Sequence, residues 1–223
     1  GGFHRAHQDC YLHQLRQLGK ASEWEICGIG IREGDQKLHD ILKKQDNLYT
    51  LLIKHPNGKI EPKVIGSIID FEMGCVNPEP VIARMADANT RIVSLTITEG
   101  GYNFNPTTGD FIFDNLDIQH ELRHPNDPIT VYGFLTAALK RRRDNGLPAF
   151  TILSCDNIEH NGDMARKMLL AFAEAQDMGL AEWIAQEVCF PNSMVDRITP
   201  VTTNADIETL AQNYGVHDAW PVT

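Results

Sequence analysis

Residues 91–102 read RIVSLTITEGGY. The run 91–98 is β-branched and almost uncharged, as expected of a strand buried on both faces. It leads directly into Thr98-Glu99-Gly100-Gly101. A second run of the same character, AFTILSC at 149–155, ends on Asp156-Asn157. Between them residues 130–145 have helical periodicity, and Gly146 is a fitting stop. Strand, helix, strand in that order is a parallel crossover unit.

The same alternation extends outward. Asn161 or Asp163 is expected to cap a helix running through Gln176, and a further helix at 181–188 leads to FPNSMVDRITP at 190–200. Upstream, 78–88 reads as a short helix. Residues 48–54 and 59–71 read as two β runs joined by Pro56-Asn57-Gly58, a hairpin placed as an insertion or edge ribbon. At the start, Gly1-Gly2 reads as the tail of a glycine-rich turn. Residues 3–18 have Tyr11, Leu12, Leu15 and Leu18 at helical spacing, and Gly19 ends the run. WEICGIGI at 24–31 is strand-like, and Arg32-Glu33-Gly34-Asp35 reads as a charged loop. Residues 103–128 form a polar, turn-rich excursion. The fold class is α/β: a doubly wound, mainly parallel sheet with a β-hairpin insertion.

Composition narrows the function. The chain has 223 residues, 42% of them hydrophobic and 22% charged, ordinary for a globular protein. A net charge of −10 argues against a nucleic-acid partner or an anionic membrane surface. The basic run Lys140-Arg141-Arg142-Arg143 closes a helix, where cations complement the dipole. Five scattered cysteines with no metal-site spacing fit a reduced, cytoplasmic compartment. No metal is expected. His120 and His124 are an i,i+4 pair, but they lie beside Pro125 in the polar excursion and read as solvated loop.

In open parallel sheets, ligands gather beyond the carboxyl ends of the strands. Four places here fall there. Gly1, Gly2 and Phe3 form a turn before a helix, whose N–H groups suit a pyrophosphate, and His4 and Arg5 could add positive charge. Arg5 reads equally as a packing arginine. Asp35 follows a strand, where a carboxylate accepts from ribose hydroxyls and repels a 2′-phosphate, so NAD is favoured over NADP; it could also be an exposed loop acid. Thr98 and Glu99 precede two glycines that serve either a ligand approach or a tight turn. Asn157 lies beyond the 149–155 strand and could equally cap a helix or sit in a loop. Asn192, beside Asp196-Arg197, is either a helix cap with a structural ion pair nearby or an amide that donates to an oxygen gaining charge in a reaction.

Four segments then resemble the mannitol dehydrogenase family, the polyol-specific long-chain dehydrogenases and reductases. They are GGFHRAH at 1–7, SLTITEGGY at 94–102, SCDNIEHNG at 154–162, and FPN at 190–192 followed by VDRITP at 195–200. The resemblance implies a Rossmann-like dinucleotide-binding domain over 1–223, incomplete at both ends, with its first strand and a C-terminal helical domain missing. It implies NAD as cofactor and a monomer. The implied activity is hydride transfer between NAD(H) and a sugar alcohol/ketose pair of the mannitol/fructose type. The implied catalytic residue is Asn192, holding the carbonyl oxygen as it becomes an alkoxide. Asp35 aligns with the acid that selects NAD, although Gly34 stands where some relatives carry a second acid. Asn157 is placed near the nicotinamide. The proton-transferring lysine of the family lies in the missing domain, so the fragment alone is expected to turn over little. A hexuronate (fructuronate) reductase of the same family and a non-catalytic nucleotide-binding module are the alternatives.

Overall fold

The structure, a computed structural model, describes residues 1–194 and 198–223. Of the reading at 190–200, Val195, Asp196 and Arg197 therefore lie outside the described residues. The chain divides into two compact units, Gly1–Met73 with Arg197–Thr223, and Gly74–Asp196.

The first unit opens with α1 (Gly2–Ala6) and α2 (Gln8–Gln17), which break at His7. β1 (Ile26–Gly30) follows. The charged loop expected at 32–35 is instead a 3₁₀ turn, Glu33–Asp35, that leads straight into α3 (Gln36–Lys44). Leu38 and Leu42, one helical turn apart, are buried and give α3 its inward face. The hairpin is present as β2 (Tyr49–Lys54) and β3 (Ile60–Ile65), paired from Tyr49↔Ile65 to Lys54↔Ile60. Gly58 closes it at φ +80°, a backbone state that glycine adopts without steric cost.

The single β run expected at 59–71 is two strands, because β4 (Ile68–Met73) leaves the hairpin at Gly66-Ser67 and pairs in parallel with β1 from Ile26↔Ile68 to Gly30↔Met73. Nor is the hairpin a bare ribbon: Leu52 N–H donates to Val222 O at 2.7 Å, and Val222 N–H donates to Thr50 O at 2.8 Å. α10 (Asn204–Tyr214) starts on a capping box in which Thr203 and Asp206 satisfy each other's backbone N–H groups. Cys10, Leu38, Leu42, Tyr49, Leu51, Ile65, Ile68 and Val222 make one buried apolar cluster.

The second unit runs α4 (Pro78–Ala86), β5 (Ile92–Leu95), the single turn α5 (Thr98–Gly101), α6 (Leu116–Arg123), α7 (Val131–Asp144), β6 (Thr151–Ser154), α8 (Asn161–Gln176) and α9 (Met178–Glu187). β5 and β6 are parallel, in register from Ile92↔Thr151 to Leu95↔Ser154, as the strand–helix–strand reading requires. α4 packs on α7, and α8 on α9 and β6. The polar excursion at 103–128 contains α6, capped by Asn115 and fixed inward by buried Ile118 and Glu121, so His120 is helical.

The basic run at the end of α7 does more than complement a dipole. Arg141 pairs with Glu79 and Arg143 with Asp177. Arg142 is buried, and its guanidinium donates to the carbonyl oxygens of Met85, Asp87, Thr90 and Pro148 at 3.2, 3.0, 2.9 and 2.6 Å. Three of those carbonyls belong to the end of α4 and the residues after it, which lack partners in the helix itself. No helix among the described residues is long and apolar enough to cross a membrane.

Candidate active site

In the first unit the expected nucleotide residues gather at the start of α1 and the end of β1. Gly1 has open space where a side chain would stand, and Gly2 would only touch Thr199. The Asp35 carboxylate acts electrostatically on Gly1, which places the turn and the acid together. Asp35 Oδ2 accepts the Arg32 N–H at 3.1 Å, so the 3₁₀ turn holds the carboxylate. A Cβ at Gly30 would lie 2.7 Å from Asp35 Cβ, so the strand end must be glycine for the acid to fold back over it.

The cations expected beside that turn are engaged elsewhere. His4 Nδ1 lies 3.2 Å from Asp9 Oδ1. Arg5 is buried: it donates from Nη1 to Trp220 O at 2.7 Å, and its guanidinium lies over the Tyr49 ring. Burial pulls the Arg5 guanidinium down, against the opposing influence of Tyr49, Asp218 and Asp9. This is the packing arginine of the two readings.

In the second unit a hydrogen-bond network occupies the carboxyl ends of β5 and β6. Asp156 Oδ1 accepts the Thr98 N–H at 2.9 Å, and its Oδ2 accepts the Ile97 N–H at 3.1 Å and the Tyr102 hydroxyl at 2.9 Å. Burial pushes the Tyr102 phenol up, so it holds its proton and donates it to Asp156. Ser154 Oγ, 2.5 Å from the Tyr102 oxygen, is then the donor in that contact. Clamped this way, Thr98 sits at φ +61°, the left-handed region that a β-branched residue avoids.

Such strain gathers at ligand-binding turns. A side chain on Gly101 would meet Ile97 Cβ at 2.7 Å, whereas Gly100 has open space. Gly101 is therefore glycine for packing, and Gly100 alone leaves the backbone open to a ligand. Thr98, Glu99 and Asn157 are all exposed around this end of the unit.

Asn192 reaches the same end by a different route. The chain after α9 runs beside β6, with Ile152 N–H donating to Cys189 O at 3.0 Å and Ser193 Oγ donating to Ser154 O at 2.6 Å. Asn192 Oδ1 accepts the N–H groups of Gly162 and Asp163 at 2.8 and 3.2 Å, and its Nδ2 donates to Asp163 Oδ2 at 3.1 Å. The cap expected from Asn161 or Asp163 is absent, since both lie inside α8. His160 at φ +51° precedes the helix without a side-chain cap of its own, and the cap comes from Asn192, thirty residues on. Asn161 is turned instead to Ser193, in a reciprocal pair at 2.9 Å each way.

Other titratable groups are less available. Lys140 is paired with Asp144, and Lys167 donates to Gly109 O. His120 Nε2 lies 2.8 Å from Asp127 Oδ2. No group of three or more His, Cys, Asp and Glu side chains suited to a metal occurs among the described residues.

The family model described as the mannitol dehydrogenase Rossmann domain matches residues 1–223. The mannitol 2-dehydrogenase of Aspergillus clavatus is 47% identical over 224 residues, covering 100% of this chain and 44% of that protein. That of Pyricularia oryzae is 46% identical, with the same coverage of 100% and 44%. Among solved structures, the Pseudomonas fluorescens mannitol 2-dehydrogenase ternary complex with NAD and D-mannitol is 48% identical with a TM-score of 0.97, covering 100% of this chain and 45% of that one. A D-sorbitol dehydrogenase in substrate-free form is 42% identical with a TM-score of 0.94, covering 100% of this chain and 46% of that one. The chain thus spans less than half the length of the relatives it matches.

Proposed function

The chain belongs to the mannitol dehydrogenase family through its Rossmann domain, and on that premise we propose that it serves an NAD-dependent oxidoreductase acting on a sugar alcohol/ketose pair of the mannitol/fructose type. The observation that carries this reading is 48% identity along the whole chain to an enzyme solved with NAD and D-mannitol. The residues in place suit the cofactor. Gly1 and Gly100 leave the backbone unobstructed, and Asp35 presents a carboxylate at the end of β1. NAD, when bound, supplies or accepts the hydride.

The chain's own residues orient and stabilise. Asp35 accepts from the adenosine ribose hydroxyls and disfavours a 2′-phosphate. The turn beginning at Gly1, Gly2 and Phe3 lies along the pyrophosphate, with His4 nearby. Arg5 is held inside its unit by Trp220 O and the Tyr49 ring, so it packs beneath α1 rather than facing the pyrophosphate. Thr98 and Glu99 form the rigid turn beside the cofactor, and Asn157 lies toward the nicotinamide. Asn192 is the catalytic residue: its Nδ2 donates to the substrate oxygen as that oxygen gains charge on reduction.

The test is Asn192→Ala in the chain produced at the full length of its relatives. Fructose reduction should fall about 100- to 1,000-fold in kcat, as on removal of one oxyanion donor, while NADH binds as before. Unchanged turnover removes Asn192 from the mechanism. Preferred reduction of fructuronate by the unaltered protein moves the substrate class to hexuronates, and a protein that binds NADH but reduces neither sugar is a nucleotide-binding module.

A further inference from the structure

We infer that the first turn of α8, Asn161-Gly162-Asp163, is a positioning device for the Asn192 amide. The inference rests on the catalytic reading of Asn192 given above. An amide side chain can be turned over by half a rotation, which exchanges donor for acceptor. Two backbone N–H groups point at one end of this amide, at 2.8 and 3.2 Å, and only oxygen can accept them. The other end is then Nδ2, and the Asp163 carboxylate 3.1 Å away holds it there. One Nδ2 hydrogen is used in that bond. The second, on an exposed side chain, is the donor left for a substrate oxygen. The amide therefore has a fixed sense before any substrate arrives, which is what stabilisation of developing charge requires.

The backbone is fixed as well. Asn161, itself buried, exchanges hydrogen bonds with Ser193, the next residue along. Gly162 lets the two segments touch. A Cβ there would stand 2.5 Å from Pro191 O and 2.6 Å from Phe190 O, against 3.4 Å for the near limit of ordinary contact. These are backbone atoms that cannot swing aside. An alanine at 162 must push residues 190–192 outward by about 1 Å, and a misplacement of about 1 Å at a reacting group costs on the order of 100-fold. Gly162 has no positive φ to explain its identity, so the close approach does.

The experiment is a double-mutant cycle in the chain produced at the full length of its relatives, with NADH and fructose as probes. Gly162→Ala alone is expected to lower kcat by about 100-fold, toward the level of Asn192→Ala, with the dissociation constant for NADH unchanged. In the Asn192→Ala background the same substitution should lower kcat no further, because its effect passes through the amide. Asp163→Ala, at an exposed position, should lower kcat about three- to tenfold while the protein stays folded at the assay temperature, and this loss should also vanish once Asn192 is alanine. A Gly162→Ala protein with normal kcat overturns the inference. So do losses that multiply in the double mutants. If Gly162→Ala does not fold, the Asp163→Ala arm decides in the same way. If Asn192→Ala alone leaves kcat unchanged, the catalytic reading fails first, and this inference falls with it.

Discussion

Asp156 offers the sharpest test of the turn that follows β5. Replacing it by alanine removes the acceptor from the Ile97 and Thr98 N–H groups, while the Tyr102 hydroxyl can still turn to Ser154. Thr98 is exposed and Ile97 half-buried, so water reaches both donors in part. Each lost bond then costs about 1–2 kcal/mol, toward the lower end for a donor left unpaired. Release of Thr98 from the left-handed region returns about 1–2 kcal/mol. The net local cost is about 1.5 kcal/mol. By that amount hydrogen exchange at the Ile97 and Thr98 amides should quicken about 10-fold, read by mass spectrometry on the segment 92–102. Asp156→Asn should fall between wild type and alanine, because its amide keeps one oxygen but turns an N–H toward a donor. Exchange at both amides that is unchanged in Asp156→Ala would refute the clamp, and with it the claim that Thr98 is held under strain.

Other consequences concern the second unit's buried charges and the nucleotide end of the first. Arg142→Lys keeps the charge but not the planar fork that reaches four carbonyls, and urea unfolding should show a loss of about 2–4 kcal/mol. Glu121 is buried, and burial pushes its carboxyl up despite the hydrogen bonds it accepts from Ile129 and Thr130. A raised folded pKa means the folded state binds the extra proton. Glu121 should therefore lower stability as pH rises from the ordinary carboxylate range through its folded pKa, and the slope of urea midpoint against pH should be less steeply negative in Glu121→Gln. Asp35→Ala should narrow the preference for NADH over NADPH about tenfold, seen as a ratio of dissociation constants; an unchanged ratio would make Asp35 a turn residue only.

How far the sequence speaks depends on the range of the interaction. The strands at 92–95 and 151–154, α7 and the hairpin were readable because periodicity and turn residues are local signals. Three helices are also written locally, in weaker signals. α3 has Leu38, Ile41 and Leu42 at helical spacing directly after the charged residues 32–35. α6 begins after a capping asparagine inside a polar stretch, and α10 begins at Thr203-Asn204-Ala205-Asp206, a capping box. The site was legible only as residue types. Asn192 could be recognised as either a cap or a donor, but nothing in the chain order says that it caps a helix thirty residues earlier. The capping half of that reading is visible in the structure, where Asn192 Oδ1 accepts the Gly162 and Asp163 N–H groups; the donor half is the one the Asn192→Ala assay tests. Arg5 shows the reverse case: an arginine beside a glycine turn looks like an anion ligand until Trp220 and Tyr49, both distant in the chain, claim it.

The strand-like contact of Val222 with β2 has a bearing on biosynthesis. The unit that holds β1 and α3 is assembled from two stretches far apart in sequence, Gly1–Met73 and Arg197–Thr223, and its apolar cluster includes Val222. On the ribosome, the uninterrupted stretch from Gly74 to Asp196 is finished and able to collapse while the earlier-made half still awaits the Val222 bridge. Loop closure over so many residues adds little to the equilibrium cost, since that cost grows only with the logarithm of length, but it delays the pairing. The nascent hairpin then has an unmet edge for roughly 150 residues of synthesis, about 8–30 s at ordinary translation rates, an interval in which an unpaired strand edge is a template for other chains.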